Sequence, residues 1–300
     1  MPRFDVSQAA PHELLAACRL LFTAPESEES RERLLSTAAE SGVFVARAAG
    51  RVCGAALVQA MPGAMGVTVP PRGESAEAED AVTAAACAWL RERGVKVCQA
   101  FAAADEVGAM APLERAGFRH ITRLAFMRRE VNREHDGAVW QPLAAPLALC
   151  SYKPGSVQLF TRSLASTHEA SLDCPELNGA RTTEEVLDGF RQPDPVPAKW
   201  YRVLALDAHD GKTAVGVLVF DNGREPAARE IAYLGVVPGS RGRGFGDWLI
   251  RFAIGVAVAE GDETLSVSVD VRNAPAMKLY ARHGFVEYDR REVWLATWPA

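Results

Sequence analysis

The chain of 300 residues repeats its own landmarks at a nearly constant spacing. A Val-Pro pair, a single glycine and a Gly-Phe pair occur in the same order in both halves, and the second copies follow the first by 167 or 168 residues. The landmarks are Val69-Pro70, Gly94 and Gly117-Phe118 in the first half, and Val237-Pro238, Gly261 and Gly284-Phe285 in the second. In each half a strand pattern leads to Val-Pro, and a helical pattern ends at the single glycine. The spacing predicts two copies of one structural unit.

The repeat and the length together set the expected domain organisation. A chain of this length can form two domains of ordinary size, each with its own core. The segment from Val131 to Ser156 is rich in Pro, Ala and Gly, which is typical of a linker followed by a first strand. We therefore expect one domain over residues 1–135 and a second over residues 145–300.

A glycine-rich turn in the second half follows an apolar, β-branched strand and precedes a helical pattern. Its glycines are Gly242, Gly244 and Gly246, and they alternate with Arg243 and Phe245. Glycine reaches positive φ without strain and lets backbone N–H groups approach a ligand closely. The first N–H groups of the following helix have no partner within the helix, and they add a partial positive charge. The pattern predicts a site for a phosphate group.

Two other phosphate-binding loops fit this turn less well. A P-loop requires a lysine and a Ser or Thr after its last glycine, and neither follows here. A dinucleotide-binding turn has the spacing G-x-G-x-x-G and an acidic residue at the end of the next strand. Asp270 does end the next predicted strand, but the spacing here is G-x-G-x-G, and too few residues follow for the remaining strands of such a sheet.

The turn and a second segment together resemble the GNAT family of acyl-CoA-dependent acetyltransferases. Arg241-Gly-Arg-Gly244-Phe-Gly246 matches the family's pyrophosphate loop, and the segment from Asn273 to Phe285 resembles its second motif, N-x-x-A-x-x-L-Y-x-x-x-G-F. The resemblance implies an α/β fold of two tandem units, each a mixed, mostly antiparallel sheet flanked by helices. It also implies acetyl-CoA as cosubstrate, no metal, and an amine of a small molecule or peptide as acceptor. Tandem members such as mycothiol synthase have a similar organisation, with a degenerate first unit and an active second unit.

The same resemblance assigns roles to residues of the second half. Glu230 corresponds to the family's general base, although a strand-end carboxylate that pairs with Arg229 or solvent is the alternative. Tyr280 corresponds to the acid that protonates the leaving thiolate, and a structural tyrosine is the alternative. We expect a backbone N–H around Val236 to polarise the thioester carbonyl, where the strand bulges and separates from its neighbour. The residues expected to bind the coenzyme are Val236, Val237, Arg241, Gly242, Arg243, Gly244, Phe245, Gly246 and Asn273. A solvated side chain is the alternative for either arginine, and helix capping is the alternative for Asn273.

The acceptor is expected to bind at a polar loop that begins at Ser171. Its Asp173, Glu176 and Asn178 have the charge and polarity to bind a cationic amine, although turn formation and helix capping would use the same residue types. Trp200 opens the next strand and is expected to form a wall of the same pocket.

The first half lacks the residues that would carry this chemistry. Residues 71–80 contain one glycine and four acidic residues, whereas the turn of the second half contains three glycines and two arginines. Carboxylates at a helix N-terminus suit its dipole but repel a pyrophosphate. The tyrosine of the second half also has no counterpart at Leu113 to Arg115. We interpret the first unit as structural, and a non-catalytic ligand site there is the alternative.

Composition excludes several other classes of protein. The net charge of -5 and the pI near 5.8 provide no long-range attraction to nucleic acid or to an anionic membrane. The six cysteines and six histidines show no metal-binding or disulfide spacing. No export signal or membrane-spanning run is recognisable, so we expect a cytoplasmic protein that is a monomer or a homodimer. A non-catalytic acyl-CoA-binding sensor or scaffold is the alternative to an enzyme.

Overall fold

The computed structural model describes residues 4–22, 41–137, 147–190, 200–205, 213–222 and 227–298. The chain forms two compact units. Unit 1 comprises Met1–Thr122, Gly179–Arg181 and Arg291–Ala300, and unit 2 comprises Arg123–Asn178 and Thr182–Arg290. Each unit is a mostly antiparallel sheet flanked by helices, which confirms the expected α/β fold class.

The regular elements of the described residues are numbered in chain order. The strands are β1 (Asp5–Gln8), β2 (Ser41–Ala48), β3 (Arg51–Met61), β4 (Met65–Thr68), β5 (Arg72–Gly73), β6 (Val97–Ala102), β7 (Arg119–Glu130), β8 (Leu147–Ser151), β9 (Trp200–Ala205), β10 (Thr213–Asn222), β11 (Ala228–Val236), β12 (Thr264–Asp270) and β13 (Val286–Thr297). The helices are α1 (Leu14–Leu21), α2 (Ala76–Glu92), α3 (Ala111–Arg115), α4 (Arg133–Asp136), α5 (Val157–His168), α6 (Thr183–Gly189), α7 (Phe245–Glu260) and α8 (Ala274–Arg282).

The sheet of unit 1 has the strand order β1-β2-β3-β4-β6-β13, with β5 paired to β3. Its strand pairs are antiparallel except for β4 and β6, which are parallel. The core beneath α2 contains Leu90 and Trp294, both at most 1% exposed. The indole Nε1 of Trp294 donates a hydrogen bond of 3.0 Å to Glu114 Oε1, which satisfies the polar atom of this large buried side chain.

The sheet of unit 2 has the strand order β7-β12-β11-β10-β9-β8. Again one pair, β11 and β12, is parallel, and the others are antiparallel. One face packs against α7 through Leu249, Phe252 and Ala253, as the helical period of the sequence predicts. The other face packs against α5 and α6, where Phe160 and Leu187 are buried.

The last strand of each sequence repeat lies in the sheet of the opposite unit. Residues 124–130 of β7 pair with β12, and residues 292–297 of β13 pair with β6. The compact units therefore divide the chain differently from the expected domains 1–135 and 145–300. The two expected ranges stay a prediction of where each copy of the repeated unit begins and ends.

Local sequence explains where the helices that matter for the site begin and end. Gly244 at the N-cap and Gly261 at the C-cap of α7 both have φ of +83°, a conformation that glycine adopts without strain. Asn273 caps α8 by accepting a hydrogen bond of 3.3 Å from the Ala276 N–H. Within the described ranges, no helix has both the length and the apolar character needed to cross a membrane.

Candidate functional site

A gap between β11 and β12 forms the centre of the candidate site. The two parallel strands pair only from Ala228 and Thr264 to Ile231 and Val267, although β11 continues to Val236 and β12 to Asp270. The register of β10 against β11 shifts at the point where pairing with β12 ends, and this shift leaves Ala232 as a bulged residue. A bulge bends and twists its strand. The bulge thus lies at Ala232. We expected it around Val236, which is four positions further along the strand.

A cavity of about 790 Å³ opens at this gap, and every residue that lines it belongs to unit 2. Its wall has five parts. They are the end of α5 at Thr167 with residues 170–173, residues 231–236 of β11, residues 267–269 of β12, the turn from Ser240 to Asp247, and α8 with its cap residue Asn273. The structure therefore brings the predicted phosphate turn and the predicted acid to one cavity.

The backbone of β11 presents hydrogen-bonding groups to the gap. Val237 N–H donates a bond of 2.9 Å to Val215 O on β10. Because N–H groups alternate between the two edges of a strand, the N–H of Val236 points to the opposite edge, from which β12 has separated. Val236 lines the cavity, whereas Val237 is not among its lining residues and its N–H is bonded to β10.

The glycine turn leaves open space on its outer side. Gly242 and Gly244 have φ of +73° and +83°, and no atom lies within 4 Å of the position that a Cβ would occupy at either residue. At Gly246, a Cβ would lie 3.1 Å from Leu279 Cδ2 on α8. The turn therefore depends on glycine for its conformation at two positions and for close packing against α8 at the third. Phe245 begins α7, and the Arg243 guanidinium lies 5.4 Å from the centre of its ring.

The exposed side chain of Arg241 reaches the end of α5. Its guanidinium donates hydrogen bonds to four backbone carbonyl oxygens, those of Val236 (3.0 Å), Thr167 (3.1 Å), Glu169 (2.6 Å) and Ala170 (2.9 Å). A cation at the C-terminus of a helix is stabilised by the helix dipole. In this arrangement the guanidinium joins α5 to β11, so any contact of Arg241 with phosphate would come from its backbone.

Asp247, a residue that the sequence did not single out, lies in the first turn of α7 and lines the cavity. Arg282 donates to both of its oxygens, at 3.0 and 3.1 Å, and His283 Nε2 lies 3.1 Å from Oδ1. Burial acts to raise the pKa of Asp247, but the hydrogen bonds from Arg282 and His283 outweigh it and lower the pKa. The carboxylate at the start of α7 is therefore paired with the guanidinium of Arg282 and hydrogen-bonded to the imidazole of His283.

Glu176 of the polar loop is held in an ion-pair network. Arg272 donates to both Glu176 oxygens, at 2.7 and 2.8 Å, and also to both oxygens of Asp270. These hydrogen bonds lower the pKa of Glu176. Asp270, which is fully buried at the end of β12, also accepts a bond of 3.1 Å from Cys174 N–H. Glu176 is thus paired with Arg272, and its contact with an amine stays a prediction.

Asp173 is the loop residue that does line the cavity. Its Oδ1 accepts a hydrogen bond of 2.8 Å from Asp270 N–H, and the side chain of Asn273 is a second hydrogen-bond partner. The surrounding protein atoms, and then the charge of Asp270, raise the pKa of Asp173. The residue is nevertheless exposed, because the cavity that it faces is open.

Two tyrosines lie in the wall of the cavity. Tyr280 on α8 is 5% exposed, and burial raises the pKa of its phenol. Tyr233 on β11 was not singled out from the sequence. Its hydroxyl lies 2.8 Å from Thr167 Oγ1, and burial raises its pKa to about 12. Both phenols are therefore protonated at neutral pH.

The remaining predicted residues lie elsewhere or outside what is described. Glu230 pairs with Asp221 and Ser266 across the sheet and is not among the residues that line the cavity. Asn178 is exposed and also lies outside the cavity wall. Trp200 begins β9, but its side chain lies outside the described part of the structure. Among the described residues, no group of three or more His, Cys, Asp or Glu side chains could hold a metal ion.

The parallel strands of unit 1 lack the corresponding gap. There, β4 pairs with β6 as far as Thr68 and Ala100, and Thr68 occupies the repeat position of Val236. The helix that follows, α2, is capped by Ser75 and has Glu77 and Glu79 in its first turn. Within the described residues of unit 1, the two strands thus stay paired where β11 and β12 separate.

Comparison with known proteins gives a consistent result. Residues 167–285 match the family model described as Acetyltransferase (GNAT) family. The chain is similar to two proteins named mycothiol acetyltransferase. One, from Clavibacter michiganensis subsp. michiganensis, is 28% identical over 66% of this chain, and one from Beutenbergia cavernae is 31% identical over 60% of it. The chain spans 61% of the length of each of them.

A solved structure, described as a tandem GNAT protein from the clavulanic acid biosynthesis pathway, shares the fold. Its TM-score is 0.54 at 15% identity, and the match covers 99% of each chain. At this identity the likeness supports the architecture alone.

Proposed function

We propose that this chain, whose residues 167–285 match the GNAT acetyltransferase family model, transfers an acetyl group from acetyl-CoA directly to a primary amine. One observation carries the proposal. The glycine turn, the gap between β11 and β12, and Tyr280 line the same cavity in unit 2. A phosphate-binding backbone and a proton donor at one cavity are what an acyl-CoA-dependent transfer requires.

Each part of the cavity suits a part of the coenzyme. The backbone N–H groups of Gly242 to Gly246 and the N-terminus of α7 would hold the diphosphate. The edge of β11 that faces the gap, including the N–H of Val236, would bind the pantetheine arm and polarise the thioester carbonyl. Asn273, which caps α8 and contacts Asp173, would lie beside the arm.

Tyr280 is the proposed acid for the leaving thiolate. Because burial raises the pKa of its phenol, the proton is present at neutral pH and can be donated when the thiolate leaves. The family resemblance assigns the base to Glu230, which lies outside the cavity wall.

The acceptor is proposed by class alone. The relatives named mycothiol acetyltransferase make a mycothiol precursor the first amine to test. Glucosamine, spermidine, S-methylcysteine amide and a tetrapeptide with a free N-terminus complete a panel of primary amines that differ in size and charge.

The experiment measures release of CoA thiol from acetyl-CoA with each amine of this panel. We expect Tyr280→Phe to lower kcat by about 10²- to 10⁴-fold, the usual contribution of a general acid, while CoA binding measured by calorimetry stays near that of the wild type. Tyr288→Phe is the matched control, because Tyr288 is 54% exposed and does not line the cavity. CoA binding without turnover of any amine would favour the acyl-CoA-binding sensor instead.

A further inference from the structure

Two carboxylates lie in the cavity wall of unit 2, and their surroundings differ. Asp247, at the start of α7, is bonded to Arg282 and His283 and lies beside the proposed phosphate site. Asp173 lies in the wall formed by the polar loop, where its charge interacts with the phenols of Tyr233 and Tyr280. Of the two, Asp173 is thus the carboxylate that lies near the proposed acid.

The position of Asp173 is set by bonds on both sides of it. Its Oδ1 accepts from Asp270 N–H, and the next residue, Cys174, donates its own N–H to Asp270 Oδ2. Cys174 has a φ of 42°, a left-handed conformation that is uncommon for residues other than glycine, and its side chain is buried. The loop is therefore turned and anchored at the end of β12, with the Asp173 carboxylate facing the cavity.

Arg272 engages the two other carboxylates near the loop. Its guanidinium pairs with both Asp270 and Glu176, so the oxygens of these two side chains are held by hydrogen bonds. A cationic amine that enters the cavity from the side of the polar loop would then meet Asp173 as its counter-charge. Glu230, on β11, does not line this cavity.

We propose that Asp173, and not Glu230, is the general base that accepts a proton from the acceptor ammonium group. This inference rests on the proposed acetyl transfer and names a further catalytic residue for it.

The proposed step balances in atoms and charge. The ammonium group transfers one proton to the Asp173 carboxylate, and the nitrogen lone pair then forms a bond to the thioester carbonyl carbon. The C–S bond breaks with its electron pair on sulfur, and the thiolate takes the proton of the Tyr280 phenol. The nitrogen gives up its second proton to the phenolate, and Asp173 releases its proton to solvent through the open cavity.

The groups around Asp173 favour this role. The surrounding protein atoms and the charge of Asp270 raise its pKa, whereas the hydrogen bonds from Asp270 N–H and Asn273 and the charge of Arg272 act in the opposite direction. Tyr233 and Tyr280 face it as neutral phenols, and the pKa of the adjacent Cys174 thiol is raised by burial, so that thiol is also neutral. A carboxylate whose pKa is raised toward neutral pH is a stronger base than an ordinary aspartate.

The test uses the full chain, acetyl-CoA and the amine of the panel that the wild type converts fastest. Asp173→Asn keeps an oxygen that can accept from Asp270 N–H but removes the base. We expect kcat/KM for the amine at pH 7 to fall by about 10²- to 10⁴-fold, with CoA affinity and melting temperature near those of the wild type. Asp173→Glu should restore part of the activity. Glu184→Gln makes the same change of charge at an exposed position of α6 outside the cavity and should leave kcat/KM unchanged.

The pH profile separates a base from a structural residue. Without a base the variant needs an amine that is already neutral, and the neutral fraction rises about tenfold per pH unit below the amine pKa. The deficit of Asp173→Asn should therefore shrink by about tenfold per unit as the pH rises from 7 to 9. A deficit that is constant with pH, or a loss of activity in Glu230→Gln with Asp173→Asn unaffected, would overturn the inference and leave acetyl transfer standing. Absence of turnover by the wild type would instead reject the proposed function.

Discussion

The guanidinium of Arg229 shows how a single buried charge depends on its partner. Arg229 is 5% exposed, and its Nε donates a bond of 2.5 Å to Asp262 Oδ2. Glu260 is 61% exposed, and its Oε2 lies 3.7 Å from Arg229 Nη2. Arg229 therefore pairs with acids at the end of α7. Arg229 was the alternative partner that the sequence suggested for Glu230, and its guanidinium is engaged by these acids.

These two acids allow a matched prediction. Asp262→Asn should lower the free energy of unfolding by about 3–5 kcal/mol, because it leaves the buried guanidinium without its counter-charge. Glu260→Gln should change it by less than about 1 kcal/mol, because an exposed ion pair is screened by water. Denaturant unfolding of the two variants measures the difference. Equal losses of unfolding free energy in the two variants would contradict the expectation that burial determines how much an ion pair contributes to stability.

At the scale of elements, Arg241 connects the end of α5 to the end of β11. Its four bonds to carbonyl oxygens use the planar, forked geometry of a guanidinium, which an ammonium group cannot reproduce. Its neighbour Arg243 lies over the ring of Phe245. The two arginines of the turn thus differ in function although they are two positions apart.

We expect Arg241→Lys to lower the free energy of unfolding by about 1–3 kcal/mol, through loss of charge-assisted bonds to α5. Arg243→Lys, the control, should change it by less than about 0.5 kcal/mol, as is usual at an exposed site. Thermal unfolding and calorimetric CoA binding are measured on both variants. If Arg241→Lys keeps full stability but weakens CoA binding, Arg241 acts on the phosphate and not on α5.

At the scale of the whole molecule, the last strand of the sequence completes the sheet of unit 1. Residues 292–297 of β13 pair with β6, and Trp294 lies opposite Ala100 in the core of that unit. Earlier in the same strand, Tyr288 belongs to unit 2 and is 54% exposed. One strand thus carries residues of both units.

Trp294→Ala should destabilise the protein by about 3–5 kcal/mol, the usual cost of emptying a large buried aromatic site. The loss should appear first in unit 1, as faster hydrogen exchange of β4 and β6, although Trp294 belongs to the second sequence repeat. Tyr288→Ala on the same strand should leave the exchange of β4 and β6 unchanged. Faster exchange confined to β11 and β12 in Trp294→Ala would show that the sequence repeats, and not the compact units, unfold together.

Features that are encoded locally could be predicted from the amino-acid sequence. The repeat of landmarks, the glycine turn, the apolar stripe of α7 and the capping of α8 all follow from residues a few positions apart. The mixed α/β architecture and the joining of the turn with Tyr280 follow from these patterns through the family resemblance. Local rules suffice there, because turn conformation and helix periodicity depend on neighbouring residues.

The tertiary structure decided which charged groups are open to the cavity and which strand completes which sheet. Arg272 captures Glu176 from 96 positions away, Asp270 fixes Asp173 from 97, and Arg241 reaches the carbonyl groups of residues 167–170 from more than 70. The residue type of a carboxylate in a polar loop is the same whether its side chain faces a ligand or an arginine. Its partner is set by packing between distant segments, so spacing along the chain could not distinguish Asp173 from Glu176.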